Sequence, residues 1–194
     1  MESIFTYLAE HFDLPILAWI AEHLRSAFGD AVMPVITLLG DAGIFWIVVA
    51  VVLLFIPKYR KVGLGMGAAL ILGLLICNVT MKPLFARIRP YDYLAGQGVT
   101  IDLLIASQHD FSFPSGHTLA SFEAAVVLVM HDRKLGVPAL ILASLIAFSR
   151  LYLYVHFPTD VLFSVFLGIG FAFLGNYFVQ KGFALYERKK HPQI

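Results

Sequence analysis

Six side chains suited to phosphate chemistry fall in three clusters: Lys82 and Arg89, then His117 behind Pro114-Ser115-Gly116, then Arg150, His156 and Asp160. A phosphoryl group in transfer carries several anionic oxygens, whose charge must be held while bonds form and break. Guanidinium groups offer such oxygens planar, bidentate donors, and an ammonium adds a compact charge. Ser115 and Gly116 open a helix, where free amides and the positive end of the dipole favour an anion, and glycine lets the backbone come close. Pro158 suits a first helical turn and places Asp160 near His156. A division of labour follows. Asp160 accepts a hydrogen bond from one ring nitrogen of His156, leaving the other as nucleophile. His117 protonates the departing oxygen and then deprotonates the attacking water. Lys82, Arg89, Arg150 and the Ser115–Gly116 amides hold the oxygens throughout. Fixed cations supply the charge, so neither metal nor cofactor is called for, and no CxxC or Cys/His cluster suggests zinc.

These clusters need a scaffold to bring them together, and composition says what kind. Of 194 residues, 59% are hydrophobic and 14% charged, against about a quarter charged in ordinary soluble domains. A water-soluble fold of this size cannot hide that much apolar surface. Lipid is the remaining solvent. Residues 62–80 form the cleanest span, and at about 1.5 Å per residue they cover most of a hydrocarbon core of roughly 30 Å. Residues 135–154 and 161–179 read the same way, while 44–56 and 118–130 are shorter. Ala31–Leu39 supplements 44–56 across a break at Gly40-Asp41-Ala42-Gly43. Spans in lipid must satisfy their own amides, and no dyad alternation suggests a barrel.

Residues 1–29 differ from these spans. Ile16, Leu17, Trp19, Ile20, Leu24 and Phe28 fall near one face, and Glu22, Arg25 and Asp30 interrupt any apolar run, as in a helix lying at the membrane interface. The expected fold is therefore an all-α integral membrane bundle with five spans, six at most, plus an N-terminal interfacial helix. It forms one domain over 1–194: interfacial segment 1–29, bundle 30–181 and basic tail 182–194. Residues 91–113 read as a long polar loop over one end. Met1-Glu2-Ser3-Ile4 lacks a basic region, so no cleavable signal peptide is expected. The single cysteine, Cys77, rules out an intrachain disulfide and leaves the redox compartment open.

The net charge of +1 says little about partners, but charge placement says more. Lys58, Arg60 and Lys61, then Arg133 and Lys134, then Lys181, Arg188, Lys189 and Lys190 fall on one side if all five segments cross, and basic loops favour the cytoplasm. Lys82, Arg87, Arg89 and Arg150 then lie on the other side, against the rule, together with His117, His156 and Asp160. Three helix ends thus converge on an anion site with an extracytoplasmic mouth, and the C-terminus is cytoplasmic.

Lys82 followed after six residues by Arg89-Pro90, then Pro114-Ser115-Gly116-His117, then Ser149-Arg150 followed after five residues by His156 and after three more by Asp160, resembles the signature of the type-2 phosphatidic acid phosphatase superfamily. The blocks cover residues 82–160 in order. The flanking helices resemble the membrane branch rather than the soluble vanadium haloperoxidases. The resemblance implies the roles given above for His156, Asp160 and His117, with phosphate held by Lys82, Arg89, Ser115, Gly116 and Arg150. It implies metal-independent hydrolysis of a lipid phosphate or diphosphate through phosphohistidine in the membrane. In a bacterial plasma membrane the substrate would be polyprenyl (undecaprenyl) diphosphate or a phosphatidate or phosphatidylglycerophosphate lipid. The sequence contains nothing that points to nucleic acid or fixes an oligomeric state.

Plainer readings compete at each position. Basic residues at helix ends commonly snorkel to headgroups, which explains each cation singly but not three beside two histidines and an aspartate. Ser115 is expected to cap its helix as well as meet phosphate. Arg87 reads as a headgroup contact or support for the site. Glu123 is expected to face other helices, structurally or lining a groove. Asp41 marks a helix break, and His109 and Asp110 read as solvated loop residues. His11, His23 and His131 show no partner pattern, and Phe45, Trp46, Phe166 and Phe171 read as packing. Two other classes fit the same residues: a lipid-binding or transfer protein that keeps the site without turnover, and an oxidative enzyme holding vanadate there.

Overall fold

The computed structural model describes residues 4–190. The expectations for Met1-Glu2-Ser3 and for the tail's last residues, 191–194, lie outside them. Every regular element described is helical: α1 Ile4–Leu8, α2 Leu14–His23, α3 Ala27–Leu38, α4 Ile44–Phe55, α5 Arg60–Gly73, α6 Lys82–Phe85, α7 Pro90–Ala95, α8 Gly116–His131, α9 Arg133–Tyr152 and α10 Pro158–Lys190. The chain is a helical membrane protein. The helical stretch Pro57–Ala95, which turns through a π-helical segment at Leu74–Met81, is long and apolar enough to cross a bilayer, as are α9 and α10. The stretches Ala27–Leu38 and Asp41–Phe55, bent by 40° at their break, are long and apolar enough only when taken together, as one broken span or a re-entrant loop.

Local chemistry sets the boundaries. Ser26 caps α3 by accepting from the Gly29 amide at 3.1 Å, and Asp132 starts α9 by accepting from the Lys134 amide at 2.9 Å. Proline opens α7 at Pro90 and α10 at Pro158. The break between α3 and α4 comes where Ala42 and Gly43 take left-handed φ of 49° and 66°, a conformation that glycine adopts freely.

The short α8 is the hub, packed on α4, α5, α9 and α10. Alanines 69, 124, 125, 143 and 172 are buried at these contacts with Met66, Val127 and Ile146. Small residues let backbones approach where lipid gives helices no hydrophobic drive to associate. Gly175 is required: a Cβ there would stand 2.6 Å from the Ala69 nitrogen. The outer faces are apolar, with Phe55, Val79 and Phe166 all more than 60% exposed, as expected of surfaces facing acyl chains.

Three expectations are corrected. The last helix does not stop near residue 179 but runs unbroken from Pro158 to Lys190, through the basic residues. The N-terminal helices do not present one apolar face. Leu17 and Ile20 are buried, whereas Trp19, Leu24 and Phe28 are exposed. Asp13 is fully buried on the same face as Ala9, Leu17 and Ile20, so this segment docks on the bundle through apolar contacts joined by a polar one. His131 does have a partner, Asn176 on α10, at 2.8 Å.

The basic clusters meet at one end of the bundle. Tyr59 donates to Asp132 at 2.7 Å, Lys58 lies 3.9 Å from the same carboxylate, and Lys61 stands over the Phe183 ring. The length of α8 separates this end from His117, about 21 Å along the axis.

Candidate active site

The helix ends bring together Lys82, Arg89, His117, Arg150, His156 and Asp160. Lys82 begins α6, Arg89 precedes α7, His117 lies in the first turn of α8, and Arg150 lies in the last turn of α9. The link from α9 to α10 is only residues 153–157, and it reverses the chain through Tyr154 at a left-handed φ of 60°. A non-glycine residue held there carries strain, and the turn aims the Val155 carbonyl at Arg89 (Nη1 to O, 2.6 Å). His156 is buried beside it, its Nε2 3.3 Å from Arg89 Nη1. Burial, then Arg89, Arg150, Lys82 and His117, push its pKa well below the ordinary imidazole value. The ring is neutral near pH 7.

Arg150 is 1% exposed. Its Nη1 donates to Thr37 Oγ1 at 2.5 Å, while Nε and Nη2 have no hydrogen-bond partner. Buried guanidinium donors left open are costly, and these two could be satisfied by an acceptor entering the site.

Asp160 is placed differently from the expectation. Its Oδ2 stands 3.5 Å from His156 Nδ1, too far for a good hydrogen bond. Ser112 stands between them, donating to Oδ2 at 2.5 Å with its Oγ 3.4 Å from Nδ1. The Phe157 amide also donates to Oδ2 at 2.9 Å, and Arg87 Nη1 donates to Oδ1 at 2.5 Å. Arg87 gives its other nitrogen to Asp13 at 2.7 Å, and Asp13 accepts from the amide and hydroxyl of Thr159, both at 2.8 Å. The guanidinium lies 4.0 Å over the Phe157 ring. Arg87 is thus buried support for the site. Ser112 had a sequence signal in its place beside Phe113-Pro114-Ser115; Asp13, about 70 residues from Arg87 in the chain, had none.

Ser115 does not cap α8: its hydroxyl lies 3.0 Å from that of Thr118, and its amide donates to Ser164 Oγ at 2.8 Å. The cap expectation fails because the Ser115 hydroxyl meets the Thr118 side chain rather than an amide of the first turn. Gly116 packs beside Asn78 at the start of α8. Asp41 marks the helix break but also meets His117, Oδ1 to Nε2 at 2.7 Å. Asp110 is no free loop residue. Its carboxylate takes an ion pair from Lys82 and another from Arg89 Nη2. Neither contact is visible in sequence, because each carboxylate sits on a different element from its cation.

Below the polar cup a cavity of about 1030 Å³ runs along α4, α5 and α8, from Lys82 and His117 past Ile47 and Leu70 to Glu123. Glu123 is buried with Oε1 unpartnered, and a Cβ on Gly73 would collide with that oxygen. Among the described residues, no three histidine, cysteine or acidic side chains gather to hold a metal ion.

A family model described as the PAP2 superfamily matches residues 62–184. An undecaprenyl-diphosphatase of Sulfolobus acidocaldarius is 32% identical over 130 residues, 66% of this chain and 61% of that protein. The chain therefore spans about three fifths of that relative. The structure resembles LpxE of Aquifex aeolicus, with a TM-score of 0.71 and 26% identity over 84% of this chain and 93% of that one. It also resembles a transmembrane PAP2-type phosphatidylglycerolphosphate phosphatase of Bacillus subtilis, with a TM-score of 0.69 and 28% identity over 91% of this chain and 92% of that one.

Proposed function

The chain belongs to the PAP2 superfamily, and we propose that it hydrolyses a lipid phosphate or diphosphate through a phosphohistidine, without a metal. The observation that carries this reading is His156, buried and neutral among Arg89, Arg150 and Lys82, with two Arg150 donors still open. An imidazole that stays neutral keeps a lone pair for phosphorus. Arg150 Nε and Nη2, with Lys82 and Arg89, receive the phosphoryl oxygens as charge redistributes.

In the first half-reaction His156 Nε2 attacks phosphorus as the bond to the lipid-side oxygen breaks. His117, its ring held through Nε2 by Asp41, delivers the proton to that oxygen, so the lipid leaves as an alcohol or, from a diphosphate, as a monophosphate. Asp160, with Ser112, steadies the positive ring. Water then attacks the phosphohistidine and His117 takes its proton. The P–N bond breaks, and inorganic phosphate and neutral His156 are restored. Catalysis falls to His156, His117 and Asp160, and phosphate binding to Lys82, Arg89, Ser115, Gly116 and Arg150.

Polyprenyl diphosphate is the leading substrate, with phosphatidate and phosphatidylglycerophosphate next. The names of the Sulfolobus and Bacillus proteins support both classes, and the cavity below the cup suits a lipid tail. The chain is taken as one domain, with interfacial segment, bundle and tail as read from the sequence, and with five spans, α8 included. The basic end lies in the cytoplasm and the site faces outward, in a bacterial plasma membrane. Labelling an introduced cysteine in 91–113 from outside intact cells tests the orientation; labelling only after lysis reverses it.

Purified protein assayed with chelator present on polyprenyl diphosphate, phosphatidate, lysophosphatidate and phosphatidylglycerophosphate tests the activity. Release of inorganic phosphate unaffected by chelator is expected. Near-normal turnover by His156→Ala would refute the phosphohistidine step.

A further inference from the structure

Three cations buried at one site repel each other, so something must hold them together while the site waits. Arg150 is left open, but Lys82 and Arg89 are not. Both give charge-assisted hydrogen bonds to the carboxylate of Asp110, Lys82 to one oxygen and Arg89 Nη2 to the other, at 2.5 Å for the arginine. Burial alone would raise the Asp110 pKa, but Lys82 and Arg89 outweigh it and hold the group below the ordinary carboxylate range. The anion is thus ionised and two-toothed, spanning an ammonium and a guanidinium as two oxygens of a phosphate would.

Its attachment suits it to leave. The Asp110 side chain is 54% exposed, whereas those of Lys82 and Arg89 are 11% and 3% exposed. Arg89 does not depend on that carboxylate for its position. Nη1 is fixed by the Val155 carbonyl, and Nε by the Asp110 backbone carbonyl at 2.9 Å. A rotation of the Asp110 side chain toward solvent therefore frees Lys82 Nζ and Arg89 Nη2 while the arginine stays aimed. The loop is held on either side, by the Gln108 amide on Tyr91 and the Ser112 amide on the Arg87 carbonyl, so the backbone need not move.

We propose that Asp110 is a resident anion: it occupies the phosphate seat between Lys82 and Arg89, yields it to an incoming phosphate, and returns to expel inorganic phosphate. This deepens the phosphatase reading and rests on it for the identity of the seat. Asp110 acts through the two cations, as a positioning residue that sets how tightly phosphate is held. Its removal tightens binding, the opposite of what loss of a merely structural contact does.

The test is calorimetric titration of inorganic phosphate into the full-length purified protein and its Asp110→Asn and Asp110→Ala variants, alongside turnover and product inhibition. Phosphate is expected to bind roughly tenfold more tightly or better to both variants, the order set by losing a charge-assisted competitor, with KM and the inhibition constant falling in parallel. Binding that is unchanged, weaker or undetectable in the folded variants overturns the proposal. If neither variant folds, the side-chain carboxylate carbon resonance of Asp110 in the wild type, followed by NMR against pH, decides. A titration midpoint that moves up at saturating phosphate, as a carboxylate parted from two cations must, supports displacement, and an unchanged midpoint refutes it. Tighter phosphate binding with no lipid phosphate hydrolysis sinks the functional reading alone. Hydrolysis with phosphate affinity unmoved by the substitutions sinks the resident anion alone.

Discussion

The two histidines of the site each have a carboxylate, yet their surroundings are opposite. His156 and Asp160 have side chains 1% and 0% exposed, ringed by Ser112, Arg87 and Arg89. His117 and Asp41 are 14% and 53% exposed at the mouth of the cavity, in direct contact at 2.7 Å. The buried pair has the looser direct contact but the denser support. Burial suits a nucleophile that must stay uncharged and in one orientation, whereas a proton carrier needs access to the leaving oxygen and to water. In the proposed mechanism similar residue types do different work because one pair lies inside the helix packing and the other at its edge.

The sharpest way to break this contrast is to remove each ring in turn. His156→Ala is expected to lose at least about 10⁴-fold in kcat, since no bond to phosphorus can then form. His117→Ala should lose about 10²–10⁴-fold, the range of a general acid–base group, and should lose less with a substrate whose leaving group needs no proton. Equal losses on such a substrate would erase the distinction. Among the supports, Ser112→Ala should cost about 10–100-fold in kcat, as expected when a charged acceptor loses a buried donor. Asp41→Asn, at the exposed pair, should cost only about three- to tenfold. A reversed order of these two would mean that the open pair is the more finely set.

The smallest effect is in pH dependence. The folded pKa of His156 is lowered chiefly by burial, so below the ordinary imidazole value of about 6.5 the unfolded chain binds a proton that the folded chain refuses. Stability from this residue is present above that pH and declines as pH falls. The melting temperature should therefore drop below about pH 6.5 in the wild type, and drop less in His156→Phe. An unchanged slope in the variant would show that His156 is not the residue excluding the proton.

The cationic cluster and both histidines are legible in sequence because each sits at a helix end with a local marker: Arg89-Pro90, Pro114-Ser115-Gly116-His117, or the short link from Arg150 to Pro158. The apolar runs likewise show helices and a membrane setting. The anions are harder to read. Asp13, Asp41 and Asp110 lie in three different segments, and each finds its partner only when the turn before α2, the break before α4 and the long polar loop close over the site. Ser112 stands beside a marked block, Phe113-Pro114-Ser115, but its insertion between His156 and Asp160 is not legible, because the spacing of those two already explains their proximity. Periodicity also misjudges the N-terminal helix, because its buried face sets Asp13 among Ala9, Leu17 and Ile20 while Trp19 and Leu24 stay exposed.

That contact makes the helical segment around Asp13 a support of the proposed catalytic site rather than a detachable anchor strip. Asp13 accepts from the Arg87 nitrogen turned away from Asp160, so a shortened chain lacking it would leave that buried donor without its acceptor and the guanidinium free to shift against the carboxylate behind His156. A trimmed version is then expected to insert and fold its remaining helices yet turn over poorly, an impairment that no inspection of the three signature blocks would foresee.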